Sequence, residues 1–373
     1  MSTPIVEIFI KLGGFMKDII IRSIEETEDL FLPYDKYIEL ALYHPEYGYY
    51  QRRKDKIGSS GDFYTSVSMS PVFGEFIGKW AGRKLIESDL PPAICELGGG
   101  TGKMACDFLR GLELYNPELA SNAIYYIVES SSYHRELILD TAAKDDRIRL
   151  LDSIKDMPLI EGFIFSNEFF DAFPVHVLIK DKNQWKEAGV TVKNGELFET
   201  TRDLNNQMIL AVIEKLNIPE FIYRIEVPCP MMVAYEQIVD KMKSGYLMTI
   251  DYGMDAEDLY IPARKNGTLR GFKDHQLIGS ILENPGETDI TSTVNFSLLK
   301  CEGKRRGLDL EYWGGQQSFL LEEGILDELV PHADADPFSP VARRNRQIKQ
   351  LVLGDWISDS FSVLVQSKNI KKP

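Results

Sequence analysis

The chain has 373 residues, 44% of them hydrophobic and 27% charged, with Lys+Arg of 42 against Asp+Glu of 57 for a net charge of −15. That length accommodates one large α/β domain with additions or two ordinary domains. The acidic balance repels phosphate backbones and anionic lipid, so no nucleic-acid partner is expected and a basic protein partner suits it better. Cys95, Cys106, Cys229 and Cys301 lie far apart, with no C-x-x-C and no His at ligand spacing, which argues against a disulfide framework and against any metal site. A reducing compartment follows, read as the cytoplasm.

In chain order, the apolar N-terminal segment IVEIFIKLGGFMKDIII carries Glu7, Lys11, Lys17 and Asp18 and lacks a small-residue cleavage pattern. It reads as neither a secretion signal nor a membrane span, but as a helix docking on the body or on a second subunit of a homodimer. Residues 1–90 read as mostly helical, apart from GDFYTS. From Ala93 strands and helices alternate, the signature of a parallel sheet covered on both faces. AICEL is a first strand, followed by Met104, Phe108, Leu109 and Leu112 at helical spacing. AIYYIVES, RIRLLDS and GFIFSNE supply strands two to four, and YLMTIDYG a fifth, after a helix from about Met231 that Gly245 is expected to close. Two segments interrupt the alternation. Residues 175–202 are β-rich around a KNG turn and should add antiparallel strands beyond strand four. Residues 260–295 show no regular period and read as a long loop over the site. LDLEYW, further helices and FSVLVQSK close the chain.

Between the first strand and its helix lies ELGGGTGK. A phosphate-binding Walker loop would need Gly at Leu97 and Ser or Thr at Met104, and a G-x-G-x-x-G dinucleotide loop would need Gly at Lys103. The pattern acid-x-G-x-G-x-G fits through Glu96, Gly98, Gly100 and Gly102, the spacing of an S-adenosylmethionine (SAM) loop. Glycines there permit φ > 0 and close approach of a ligand, and the helix start offers N–H groups to its carboxylate. Glu96 is placed to receive the ligand ammonium directly or through water. Glu129, 27 residues beyond Gly102 at the end of strand two, is placed for both ribose hydroxyls, and Asp152 after strand three for the adenine amino group. NEFFDAFP sets Asn167, Glu168 and Asp171 at the end of strand four, where open α/β sheets bind ligands. A carboxylate pair there would hold a cationic substrate beside the methyl donor; the bland alternative is capping of the next turn. His275 is the remaining candidate histidine, and Asp251 and Tyr252 either line the pocket or cap strand five.

Several long stretches are similar to the MidA family of SAM-dependent methyltransferases: LALYHPEYGYY, IGSSGDFYTSVSMSPVFGEFIGKW, ICELGGGTGK, NEFFDAFP, MTIDYG, GTLRGFKDH and PGETDIT. The resemblance covers nearly all of the chain. It implies a class I, Rossmann-like methyltransferase sheet as the α/β fold class, with Gly61, Asp62 and Thr65 of GDFYTS folding over the cofactor. Mitochondrial members of that family are respiratory complex I assembly factors regarded as protein arginine methyltransferases. The resemblance thus implies methyl transfer to a protein substrate, with a respiratory subunit suggested by analogy. The chain departs from the pattern after DIT, where Thr293 and Asn295 stand in place of the usual His and Asp. The expected organisation is an N-terminal region, 1–90, covering the cofactor site, and a methyltransferase domain, 91–373, with insertions at 175–202 and 260–295. The expected function is SAM-dependent methylation of a protein arginine guanidinium. The alternative is an assembly factor that grips a partner without turnover, while the glycine spacing disfavours an NAD enzyme.

Overall fold

The protein is seen in a computed structural model that describes residues 14–52, 70–273, 276–331, 336–353 and 361–370. It forms two compact units. One comprises residues 1–55, 170–233 and 254–295, and the other residues 56–169, 234–253 and 296–373. This division corrects the expected boundary near residue 90: helix α1 (Pro71–Glu87) belongs to the same unit as the glycine loop.

In that second unit the alternation read from the sequence is present. After α1 come β1 (Ala93–Leu97), α2 (Lys103–Tyr115), β2 (Ile124–Val128), α3 (Ser132–Thr141), β3 (Ile148–Leu151) and β4 (Ile160–Asn167). Helix α4 (Cys229–Lys241) leads into β5 (Met242–Met254), and β6 (Asp309–Gly315) and β7 (Phe361–Lys368) complete the set. These seven strands lie in the order β3-β2-β1-β4-β5-β7-β6. The first five are mutually parallel, and β7 runs antiparallel to both β5 and β6. The order reverses between β1 and β4, and in an open α/β sheet the crevice outside the carboxyl ends of such a pair is where ligands bind. Strands β1 and β4 are fully covered, so they read as continuous apolar runs rather than alternating ones. Phe163 and Phe165 of β4 are fully buried, and Phe108 of α2 stacks on Phe165 at 5.3 Å between ring centroids. The helical spacing of Met104, Phe108, Leu109 and Leu112 was therefore a true reading of the face that packs on the sheet.

Gly245 does not close α4. The helix passes directly into β5, and Gly245 lies inside the strand at φ +126°, in register with Gly162 of β4. A Cβ there would stand 1.9 Å from the Gly162 carbonyl oxygen, so close strand approach demands the glycine rather than helix termination.

The other unit holds most of what the sequence left irregular. Residues 175–202 do add antiparallel strands, but not to the parallel sheet. Strands His176–Asp181, Gln184–Lys193 and Glu196–Asp203 pair antiparallel in a sheet of their own with Leu32–Pro33 and Arg224–Val227. Their turns place Lys182 and Asn183 at φ 45° and 68° and Asn194 and Gly195 at φ 52° and 75°, the positive values that match hairpin twist. Ile20 and Ile24 of the helix Gly14–Glu25 are fully buried in the same cluster as Tyr37, Val177 and Val190, so this helix docks within its own unit. Residues 260–295 are not a structureless loop, because Arg270–Lys273, Gln276–Leu277 and Asp289–Thr291 pair as a small antiparallel sheet. Its strands have two to four residues, too short for a period to register.

Replacing Gly245 by Ala forces β4 and β5 apart at their tightest point and should cost about 1–3 kcal/mol. Thermal unfolding should show a fall in Tm of several degrees; an unchanged Tm would mean that the strands separate freely there.

Candidate functional site: the carboxyl ends of the parallel strands

The loop after β1 takes its shape from three glycines in the left-handed region, Gly98 at φ 77°, Gly100 at 52° and Gly102 at 76°. Residues with a Cβ adopt that region only at a cost, and the cost would recur at each position. Gly98 donates its N–H to Val128 O at 2.9 Å, which ties the loop to the end of β2. Gly102, the N-cap of α2, has no side chain with which to cap it, and the first turn presents the partial positive charge that suits an anionic group.

Glu129 immediately follows β2 and is 8% exposed. Its Oε2 accepts the Gly100 N–H at 3.1 Å and its Oε1 the Ser131 N–H at 2.8 Å. Burial pushes this carboxyl up and the two N–H groups pull it back. Each oxygen keeps lone-pair capacity after these bonds, as a pair of ribose hydroxyls would require. Glu96, the fourth residue of β1, is 3% exposed and accepts the Tyr125 hydroxyl at 2.9 Å. Burial pushes its carboxyl up to about 8; the Tyr125 bond opposes this and the Glu129 charge adds to it. Asp152 follows β3 with a largely exposed side chain, and its Oδ1 lies 2.7 Å from Arg135 Nη1. Sequence reasoning overlooked Arg135. Its only signal was a basic residue at the end of the first turn of α3, and helix faces commonly carry one.

At the end of β4, Asn167 Nδ2 donates to Glu168 Oε1 at 3.0 Å, while the buried Asn167 Oδ1 has no hydrogen-bond partner among the described residues. Glu168 adopts φ +54° and donates its N–H to Ile250 O at 2.9 Å. A left-handed glutamate is uncommon and costs about 1–2 kcal/mol, a cost that recurs at functional sites. The fully buried Asp251 of β5 accepts the N–H groups of Phe169 at 3.1 Å and Tyr252 at 2.8 Å. Phe169 in turn borders the glycine loop, since a Cβ on Gly98 would meet its ring at 3.0 Å. Asp251 therefore orders the backbone beside the crevice.

The two carboxylates of NEFFDAFP are assigned to different compact units. The chain passes from one unit to the other between Phe169 and Phe170, which puts Asp171 in the unit opposite to Glu168. There desolvation pushes the Asp171 carboxyl up to about 6 against the pull of Arg270. Gly61, Asp62, Thr65 and His275 lie outside the described residues.

The start of α2, the buried carboxylate of Glu129 and the open acceptor of Asn167 suit an amino acid joined to a nucleoside. The comparisons with known proteins agree. A family of S-adenosyl-L-methionine-dependent methyltransferases matches residues 76–312, more than half of the chain. Protein arginine methyltransferase NDUFAF7, mitochondrial, of Danio rerio is 28% identical over 78% of this chain and 72% of its own. The NDUFAF7 homolog of Caenorhabditis elegans is 29% identical over 90% and 80%. A crystal structure of a Burkholderia thailandensis protein bound to S-adenosyl-homocysteine superposes with a TM-score of 0.82 at 27% identity, covering 96% of this chain and 94% of that one. The relatives from Danio rerio, Mus musculus and Drosophila melanogaster are named as mitochondrial, which overturns the cytoplasmic placement; a reducing milieu, all that separated cysteines can indicate, is not peculiar to one compartment. With a match across most of its length and a whole-chain likeness to a protein that holds S-adenosyl-homocysteine, this chain belongs to the S-adenosyl-L-methionine-dependent methyltransferases, and SAM is its cofactor.

Proposed function

We propose that the protein transfers a methyl group to an arginine guanidinium of a protein substrate. The observation that carries this reading is Glu168, a carboxylate held in a left-handed conformation at the end of β4, next along the sheet to the glycine loop after β1. The relatives named as protein arginine methyltransferases support the choice of acceptor. SAM supplies a methyl group already activated on a sulfonium sulfur. What remains for the protein is alignment and charge. In this reading Glu129 takes the ribose hydroxyls, Glu96 the ammonium and the start of α2 the carboxylate of the cofactor. Glu168 accepts guanidinium N–H groups and fixes the plane of that fork, and Asn167 holds Glu168 in place. The proposal is argued from Glu168, which belongs to the same unit as the glycine loop. A second reading, a partner-binding factor without turnover, draws on Thr293 and Asn295, which are buried and offer no base where the MidA pattern has His and Asp.

The two readings separate in one experiment. Incubation with methyl-labelled SAM in a lysate lacking this protein should label a polypeptide band whose hydrolysate contains methylarginine. Label on lysine, or no label at all, overturns the arginine reading. Glu168→Gln keeps the shape and removes the charge, so transfer should fall by about 10²-fold, while SAM affinity stays within about threefold. Parallel losses would move Glu168 into the cofactor pocket, and undiminished transfer would leave it a structural residue.

Glu96 gives a pH-dependent test of the cofactor end. Its folded value of about 8 lies above its unfolded one, so the native protein holds a proton that the unfolded chain releases. Its contribution to stability is therefore present at low pH and declines as pH rises from about 4.5 towards 8. An ammonium beside it favours the carboxylate, so cofactor binding in that window should expel the proton. Calorimetry of S-adenosylhomocysteine at pH 6.5 in buffers of different ionisation enthalpy should detect proton release, and Glu96→Gln should abolish it. Proton-neutral binding by the unaltered protein would mean that the ammonium lies elsewhere.

A further inference from the structure

The nucleoside end of the site depends on two short strands, β2 and β3, that finish side by side, and one side chain joins them. Arg135, in the first turn of α3, brings Nη1 within 3.2 Å of Glu129 O, 2.9 Å of Leu151 O and 2.7 Å of Asp152 Oδ1. Those acceptors are the backbone of the residue that follows β2, the last residue of β3 and the side chain immediately after it. Glu129 N donates to Leu151 O at 3.1 Å, so the same carbonyl receives both the final rung between the strands and the guanidinium. Beyond Glu129 and Leu151 the ladder stops, and two strand ends without a further rung are free to splay. Arg135 closes that gap with a cation set between carbonyls and near the Glu129 carboxylate.

We propose that Arg135 is a positioning residue for the nucleoside of the cofactor. By clamping the ends of β2 and β3 it fixes where the Glu129 carboxylate stands, and it occupies Asp152, which then braces the arginine instead of meeting adenine. The inference rests on the reading of Glu129 as the ribose acceptor. The part of the ligand it governs is the adenosine moiety; the amino-acid end, served by the start of α2 and by Glu96, lies beyond its reach. Rigid support of this kind decides how well a binding group is preorganised, and loss of an outer-shell partner in metal sites, taken as an analogy, weakens binding by about 10- to 100-fold.

The experiment is calorimetric titration of the whole protein with S-adenosylhomocysteine and with 5′-methylthioadenosine, which keeps the nucleoside and its 5′ sulfur but lacks the amino-acid end. Arg135→Met keeps an apolar stem and should weaken both ligands by a common factor of about tenfold. Arg135→Lys, with three donors on its ammonium, should recover part of that loss. In a Glu129→Gln background the Arg135→Met change should add less than about threefold, since the arginine acts through Glu129. If transfer is measured, the KM for SAM should rise with kcat at saturation held. Thermal unfolding of the ligand-free variants should remain cooperative and within a few degrees of the parent, and Arg135→Lys carries the test should Arg135→Met fail to fold. The inference is overturned if Arg135→Met binds both ligands as the parent does, if only S-adenosylhomocysteine weakens, or if the two substitutions are fully additive. Normal binding by Glu129→Gln alone would remove the ribose reading itself, and this inference with it, whereas a weak Glu129→Gln beside a normal Arg135→Met would sink the inference only.

Discussion

The hydrogen bond from the Gly100 amide to the buried Glu129 carboxylate is the constraint around which the crevice is organised. It joins the loop after β1 to the residue after β2, at a position where Gly100 takes a positive φ that a glycine adopts without strain. Without it, a carboxylate that is 8% exposed would lose one of its N–H donors, at a cost of about 1–3 kcal/mol. With it, the carboxylate is satisfied on its inner edge yet keeps acceptor capacity for a ligand. The loop and the acid are therefore a single device. The glycines do more than leave room for a ligand: they pay part of the desolvation of the group that would bind it.

A parallel arrangement holds the other side of the switch point. Asp251 of β5 receives the Phe169 amide, Glu168 gives its amide to Ile250 O, and the Phe169 ring borders Gly98. The ends of β4 and β5 are thus tied to each other, and the glycine loop packs against their junction. Two of these ties are backbone N–H groups donated to a neighbouring strand end. The buried carboxylate of Asp251 is thereby satisfied by backbone N–H groups, as a buried polar group requires.

The sequence made the parallel sheet legible because β1, β2 and β4 are short, apolar and separated by helices with a clear face, as Phe108, Leu109 and Leu112 illustrate. The glycine loop was legible from spacing alone, since φ > 0 at three alternate positions leaves a mark that few other structures require. Gly245 was misread because a glycine after a helical run usually means a C-cap, whereas here it answers to Gly162, more than eighty residues earlier; only tertiary pairing could reveal it. The separate antiparallel sheet escaped for a similar reason. Strands 176–181 and 184–193 announce a hairpin, but their other partners, Leu32–Pro33 and Arg224–Val227, are remote in sequence. Arg135 was illegible because its guanidinium donates to carbonyls at the ends of two strands, and carbonyls carry no sequence signal.

Glu168 combines a cost with an opportunity. Glycine or asparagine would occupy φ +54° with less strain, and the turn would lose nothing in its backbone, since the bond to Ile250 O belongs to the amide. The Asn167 side-chain amide donates to its carboxylate at 3.0 Å. On the proposed reading, the strain is the consequence of placing a carboxylate on rigid backbone at the carboxyl end of β4, where the crevice opens. A charged group on a stiff support aligns a planar cation with less reorganisation than one on a flexible loop, and methyl transfer needs alignment above all.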